Sequence, residues 1–248
     1  MDLRKRQKRV RPELSVVISG YNEERFVGQV LRGVLSFFRQ AKINGELLFL
    51  NNHSTDRTGE IAAEVAKTDP RLRVIQRYSR PSRDLGSSLR EGLQNASGDY
   101  ILIMDCDASH DYREISNLYS RRHEADIIIG SRYVSGGRAE LNPKRWLFST
   151  GYNLFARIFT GVDIKDMTTG FKLYSRRVFD GMDLTNNGFG LHVEIILKAA
   201  AKGYSWKEVP ITYRKSGKSH LNYRKQFWSY MRPVMEMFWK RILRKRYA

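Results

Sequence analysis

Two carboxylates, Asp105 and Asp107, flank Cys106 directly after the apolar run Tyr100-Ile101-Leu102-Ile103-Met104. From an irregular turn at a strand end, both can reach one hard cation. Coordination positions then stay open for phosphate oxygens, as Mg2+ and Mn2+ prefer. D-x-D is common by chance, and an ordinary acidic loop is the alternative reading. Its position after a buried strand of a parallel sheet raises the case for a metal. Two more polar groups follow apolar runs directly: Tyr21-Asn22-Glu23 after residues 14–19, and Asn51-Asn52-His53 after residues 47–50. Other chemistries lack their signatures. There is no G-x-G-x-x-G, no G-x-x-x-x-G-K-[ST], no G-x-S-x-G elbow and no paired-histidine zinc spacing.

These groups need elements to position them. Short apolar runs at residues 14–19 (β-branched), 47–50, 72–75 and 100–104 read as strands. Between them fall helical patterns: Phe26, Val30, Val34 and Phe37/Phe38, then Ile61 and Val65 behind the cap signal Ser54-Thr55-Asp56, then residues 85–93. Alternating strands and helices predict an α/β fold with a mostly parallel central sheet flanked by helices. In such a sheet ligands bind beyond the carboxyl ends of the strands, so the three polar groups should converge at one edge. The second half predicts a strand over 125–130 and a helix on which Arg145, Ser149 and Asn153 share a face. A strand over 171–174, a helix over 190–201 and a strand over 206–213 around Pro210 follow.

The chain of 248 residues carries a net charge of +18, placed mainly at its ends. Residues 1–12 contribute +5, and residues 214–248, with eleven Lys or Arg against Glu236, contribute +10. A balanced body with basic ends suggests attraction to an acidic surface. Cys106 is the only cysteine, so no internal disulfide framework exists, which suits a reducing cytoplasm. The N-terminus lacks the apolar stretch of a signal peptide, and no run of about 18 apolar residues reads as a membrane span. At the C-terminus Phe227, Met231, Val234, Met235, Phe238 and Ile242 recur at helical spacing, flanked by Trp228, Trp239 and Arg244-Lys245-Arg246. That pattern describes a basic amphipathic helix in an anionic membrane interface, or equally one packed on its own domain or on a membrane partner protein. Pro233 is placed to kink it.

Six segments appear in order: residues 18–24, 51–58, 98–100, 104–110, 130–133 and 169–174. Together they read Ile-Ser-Gly-Tyr-Asn-Glu-Glu, Asn-Asn-His-Ser-Thr-Asp-Arg-Thr, Gly-Asp-Tyr, Met-Asp-Cys-Asp-Ala-Ser-His, Gly-Ser-Arg-Tyr and Thr-Gly-Phe-Lys-Leu-Tyr. Each is weak alone, but the ordered set resembles the inverting family-2 glycosyltransferases with the type A nucleotide-sugar fold. More narrowly, it resembles their dolichyl- or polyprenyl-phosphate mannose synthase group. The resemblance spans about residues 14 to 221. It implies a donor pocket of Ser19, Tyr21, Glu23, Asn51, Asp105 and Cys106, with Arg214 and Lys218 on a segment, residues 216–221, that closes over the donor diphosphate. It implies Asp107 as the principal metal ligand, with Asp105 beside it and Ser109 completing the shell. It implies Arg132, Arg145 and Ser149 as the group that holds an acceptor phosphate. Asp105, Asp107 and Arg132 would carry the catalysis. Two positions depart from the family: Asn51 stands where an Asp is usual, and His220 where a Lys is usual.

The resemblance implies transfer of a sugar from a UDP- or GDP-linked donor to a polyprenyl or dolichyl phosphate, with inversion. An acceptor phosphate is already ionised at neutral pH and needs no general base. A sugar or protein hydroxyl as acceptor is the alternative, with Asp166 or Glu194 as base; both also read as structural residues. Outside enzymes, a basic nucleic-acid-binding protein would explain the charged ends, but no recognition motif supports it and, without a metal, the strand-end carboxylates would repel phosphate. The organisation expected is a basic tail over 1–12, a catalytic domain over 13–221 and the helix over 222–248, in a cytoplasmic protein peripheral to a membrane.

Overall fold

The computed structural model describes residues 11–78, 84–214 and 223–246. The chain runs β1 (Leu14–Gly20), α1 (Val27–Gln40), β2 (Gly45–Asn51), α2 (Thr58–Thr68), β3 (Leu72–Gln76), α3 (Leu85–Asn95) and β4 (Tyr100–Asp105). It continues with α4 (Glu114–Ser120), β5 (Ile127–Ser131), β6 (Arg138–Ala139), α5 (Pro143–Thr160) and β7 (Lys172–Ser175). Last come α6 (Leu191–Ala201), β8 (Trp206–Pro210), β9 (Thr212–Tyr213) and α7 (Tyr223–Arg246).

The main sheet has the order β3-β2-β1-β4-β7-β5-β8, parallel except for β7, which is antiparallel to both neighbours. Side chains alternate across it, and both faces of its centre are covered, so β1, β2 and β4 are largely apolar and buried. Val16, Ile18, Leu47, Phe49, Leu102 and Met104 enter one core with α1, α2 and α4. Val17, Leu48, Leu50, Ile101 and Ile103 enter the other with α3, α5, α6 and α7. The chain reverses direction of winding at β1, between β2 and β4, which opens the crevice where ligands bind in such sheets.

The strand expected over 206–213 is two strands. Pro210 ends β8, where it pairs with Ser131 on the edge strand, a position at which the missing N–H costs no ladder bond. Ile211 then donates to Ser131 O, and β9 leaves to pair with β6 in a separate two-stranded sheet. The helix α7 packs on α5 and α6 through Val234, which is fully buried, with Tyr230 and Met237 beside it. It continues through Pro233. No described helix is long and apolar enough to cross a membrane.

Candidate active site

Three loops leave the carboxyl edge after β1, β2 and β4, and each holds a residue in the left-handed region: Asn22 (φ 56°), His53 (φ 62°) and Ala108 (φ 55°). Such conformations are strained outside glycine and persist where surrounding contacts fix them. Here the first two loops are tied together. Ser54 Oγ accepts from the Asn22 N–H at 3.1 Å, Asn22 Oδ1 accepts from the Thr55 N–H at 2.8 Å, and Thr58 Oγ1 accepts from the Glu23 N–H at 2.7 Å. The third folds on itself, with Ser109 N donating to Asp107 Oδ1 at 2.9 Å.

Glu23, Asp105 and Asp107 crowd this edge. The Asp105 carboxyl is pushed up to about 7, by burial first and then by Asp107; Arg132, Lys172 and Arg145 oppose the rise. Glu23 is also pushed up to about 7, by burial and then by Asp107, Asp105 and Asp56. Carboxyls that burial and mutual repulsion raise this far favour a cation in their midst. The hydroxyl of Ser109 is buried with no hydrogen-bond partner among the described residues, an orphan of the kind a metal or its water satisfies. Asp105, Asp107 and Ser109 therefore fit a hard divalent ion that takes its remaining oxygens from a ligand. No group of three or more His, Cys, Asp or Glu among the described residues is arranged to hold a metal unaided. The approach of Asp105 depends on Gly170, where a Cβ would lie 2.9 Å from Asp105 Oδ2. Cys106 is buried between the carboxylates, and burial and their charge push its thiol well up, so it is a packing residue without thiolate character.

A cationic group faces the acidic one. Arg132 follows β5 and forks onto Asp166, with Nε to Oδ2 and Nη2 to Oδ1 both at 2.7 Å, while Nη2 also donates to Thr168 Oγ1 at 2.9 Å. Its Nη1 donors have no partner among the described residues. The cation also faces the rings of Tyr133 and Tyr213, at 5.2 and 5.5 Å. Arg145 lies in the first turn of α5, which Asn142 caps through its side-chain oxygen at 2.8 Å and Pro143 starts. That turn brings Arg145 near enough to lower the carboxyl of Asp105. One turn on, Ser149 shares the face of α5 that carries Arg145. On the same face Asn153 Oδ1 accepts from the Met167 N–H at 3.0 Å, which ties α5 to the loop that carries Asp166.

Of the donor-pocket residues expected, Tyr21 is exposed, and Ser19 shares a 2.8 Å hydrogen bond with Ser88. Asn51 is fully buried, its side chain turned to Gln76 and Tyr78. Arg214 anchors to the site through its backbone, donating to Ser109 O at 2.9 Å. Lys218, His220 and the rest of the segment over 216–221 lie outside the described residues, as does the basic tail up to residue 10. Both alternative bases are engaged. Both Asp166 oxygens accept from Arg132, and Glu194 accepts from the N–H groups of Thr185 and Asn186 and pairs with Lys198 at 2.7 Å.

Several residues of the site were missed in the sequence. Lys172 is fully buried on β7, with Nζ donating to Met167 O at 3.0 Å and to Thr169 O, and burial lowers its ammonium to about 7. A lysine inside the apolar run Phe171-Lys172-Leu173-Tyr174 was the available signal. Arg77 is also buried, paired with Glu91 at 2.9 Å and bonded to Asn52 beside the β2 edge. Gln76 and Tyr78 carried no signal, because they matter only through Asn51.

The chain has counterparts among known proteins. The chain is 33% identical over 231 residues to the dolichol-phosphate mannosyltransferase of Pyrococcus furiosus, covering 91% of this chain and 63% of that protein. It is 34% identical over 207 residues to the polyprenol monophosphomannose synthase of Mycolicibacterium smegmatis, covering 80% and 76%. The chain thus spans less than two thirds of the first relative's length. A structure of glucosyl-3-phosphoglycerate synthase from Mycobacterium tuberculosis in complex with Mn2+, UDP and glucosyl-3-phosphoglycerate superposes with a TM-score of 0.68. It is 18% identical and is covered to 80%, against 91% of this chain, a likeness that shows the fold as type A. The family model described as glycosyl transferase family 2 matches residues 15–182, which takes in β1 through β7 and every carboxylate of the strand edge, and the chain belongs to that family.

Proposed function

We propose that this chain transfers a hexose from a nucleoside diphosphate sugar to a polyprenyl or dolichyl phosphate, with inversion at the anomeric carbon. One juxtaposition carries the reading: the carboxylate turn Asp105–Asp107 lies within electrostatic reach of Arg132, which follows β5, and of Arg145, which shares with Ser149 a helix whose exposed side chains are largely apolar. Two relatives are named for transfer to lipid phosphates of this class.

The roles follow from the contacts. Asp105 and Asp107, with Ser109, would hold Mg2+ or Mn2+, which when bound supplies positive charge to the departing diphosphate. Tyr21, Ser19 and Glu23 line the donor side, and Arg214 enters it from β9. Arg145 brings uncompensated positive charge to the acceptor phosphate, and Ser149 a hydroxyl donor. Arg132 is neutralised by Asp166, so it contributes directed Nη1 donors held by a fork. The acceptor oxygen attacks in line and surrenders no proton, which agrees with the engagement of Asp166 and Glu194 elsewhere. At the base, an asparagine at 51 offers an acceptor oxygen beside a donor amide. That pair matches the N3–H and adjacent carbonyl of uracil, so we assign a UDP-linked donor.

A membrane surface as partner is supported by the exposed apolar side chains of two helices. Trp146, Leu147, Phe148, Leu154 and Ile158 on α5, and Phe227, Trp228, Trp239 and Leu243 on α7, are all about half exposed or more. The two helices pack together, with Phe159 against Phe238 at 5.1 Å between centroids. An apolar platform of two helices in a strongly basic chain suits an anionic lipid surface. It would present Arg145 and Ser149 at the depth of a lipid phosphate. The deciding experiment measures transfer from UDP- and GDP-hexoses to a short polyprenyl phosphate with Mn2+ and with chelator. Metal-dependent formation of the glycosyl phospholipid is expected; donor use without lipid product overturns the acceptor.

A further inference from the structure

Asn51 closes β2 in register with Gly20 on β1 and Gln76 on β3, so it stands at the centre of the edge where the base is assigned. It is fully buried. Its amide nitrogen donates both hydrogens, to Gln76 Oε1 at 2.7 Å and to the Tyr78 hydroxyl oxygen at 2.8 Å, while Oδ1 faces the Ser54 N–H at 3.4 Å. The three side chains meet over Gly59, where a Cβ would lie 2.4 Å from Asn51 Nδ2 and 2.9 Å from the Tyr78 oxygen. The two partners differ in kind. Gln76 reaches Asn51 from the neighbouring strand. Tyr78 lies beyond the end of β3 and is 56% exposed, with its hydroxyl reaching in to Asn51. An aromatic ring that remains largely in water, yet covers a buried amide through one oxygen, is held there by that hydrogen bond more than by packing.

We infer that Tyr78 is a placeholder in the base pocket: its hydroxyl oxygen occupies the position on Asn51 that a base carbonyl takes when the donor binds. The inference rests on the assignment of this edge to a uracil nucleotide. Donor binding exchanges one acceptor for another at Asn51 Nδ2, so the buried amide is satisfied in both states. Gln76 keeps its hydrogen bond and holds the amide plane, which leaves Oδ1 for a ring N–H. The phenol swings out, and its ring is freed to cover the base. Tyr78 thereby competes with the nucleotide, and a base without a carbonyl at that position leaves the amide unsatisfied once Tyr78 is displaced. The free site is closed to water-soluble amides and carboxylates that could otherwise pair with Asn51.

The sign of one substitution separates this role from an ordinary contact. Tyr78→Phe keeps the ring and removes the competing oxygen, so with Mn2+ it should bind UDP more tightly than the wild type, by about fivefold for one neutral hydrogen bond. Calorimetric titration of UDP and of GDP into wild type and Tyr78→Phe reads this directly, with thermal unfolding as a check that the exposed position leaves the fold intact. Wild type that binds UDP, with Tyr78→Phe equal or weaker, overturns the placeholder and leaves the donor reading standing. Wild type that binds only GDP overturns the uracil assignment and this inference with it. Binding of neither nucleotide by either protein overturns the donor reading itself.

Discussion

Arg132 and Asp166 form a buried two-point fork, Nε to Oδ2 and Nη2 to Oδ1 at 2.7 Å each, and Asp166 also accepts from the Arg132 backbone N–H at 3.0 Å. One carboxylate thus fixes both the side chain and the backbone of the residue after β5. Asp166 is in turn held by the Lys165 and Asp166 N–H groups donating to Glu208 on β8, at 2.9 and 3.0 Å. Asp166→Ala should destabilise the protein by roughly 3–5 kcal/mol, because it leaves a buried guanidinium unpaired. Denaturant unfolding measures it; a loss under about 1 kcal/mol would show the pair to be solvated.

The same pair has a pH signature. The Arg132 charge and hydrogen bonds hold the Asp166 carboxyl below its ordinary 3.8 despite its burial. A depressed carboxyl contributes stability that is present above 3.8 and lost as pH falls through the lower folded value. Asp166→Asn removes that titration, so the acid limb of its stability curve, relative to its own plateau, should be shallower than the wild type's below pH 3.8. Unfolding midpoints measured across acidic pH check it.

Asp105 and Glu23 give the opposite slope. Their carboxyls are raised to about 7 from 3.8 and 4.5, so the metal-free protein should lose stability as pH rises through that interval. A divalent ion binds the ionised forms, so stabilisation by Mn2+ should grow from pH 5.5 to 7.5, both about values chosen to bracket the upper transition. Melting temperatures with and without Mn2+ read it, and a metal effect independent of pH would contradict the placement.

Asp107→Ala should lower donor turnover by at least about 10²-fold and leave the fold intact, since the metal offsets several kcal/mol of leaving-group charge. Initial rates of donor consumption, with chelated wild type as the reference, measure it. Near-normal activity in this variant would remove Asp107 from the metal site.

Arg145→Ala should raise the concentration of lipid phosphate needed for transfer while sparing slow hydrolysis of the donor by water. Arg145 reaches the site from α5, the side proposed for the acceptor, whereas the side proposed for the donor is built from β1, β2 and β4. Equal loss of both activities would place Arg145 on the donor or in the fold.

Deletion of α7 would uncover Val234 and its neighbours, so membrane contact is better tested on the exposed platform. Phe148→Ser with Trp228→Ser should weaken binding to anionic vesicles, and wild-type binding should fall with rising salt. Sedimentation with vesicles measures both. Unchanged binding by the double variant would assign the platform to another partner.

Much of the first half was legible in sequence because each of its elements is locally determined. The runs at 14–19, 47–50 and 100–104 are apolar on both faces, which only a covered parallel sheet accommodates, and their polar successors must then share one edge. Asp105, Asp107, Asn51 and Glu23 were found that way, with the ordered motifs adding the family. The tertiary structure decided what spacing along the chain does not encode. It split the strand after Pro210, where Ile211 still bonds Ser131 but the next residues leave the edge to pair with β6. It neutralised Arg132 with a carboxylate 34 residues away and turned Asn51 inward to Gln76 and Tyr78, 25 and 27 residues away. It also docked α7 on α5 and α6 while leaving Trp228 and Trp239 exposed. A residue's type and its neighbours in sequence set which element it joins. Its protonation, its free donors and its exposure depend on partners that only the packing of distant segments supplies.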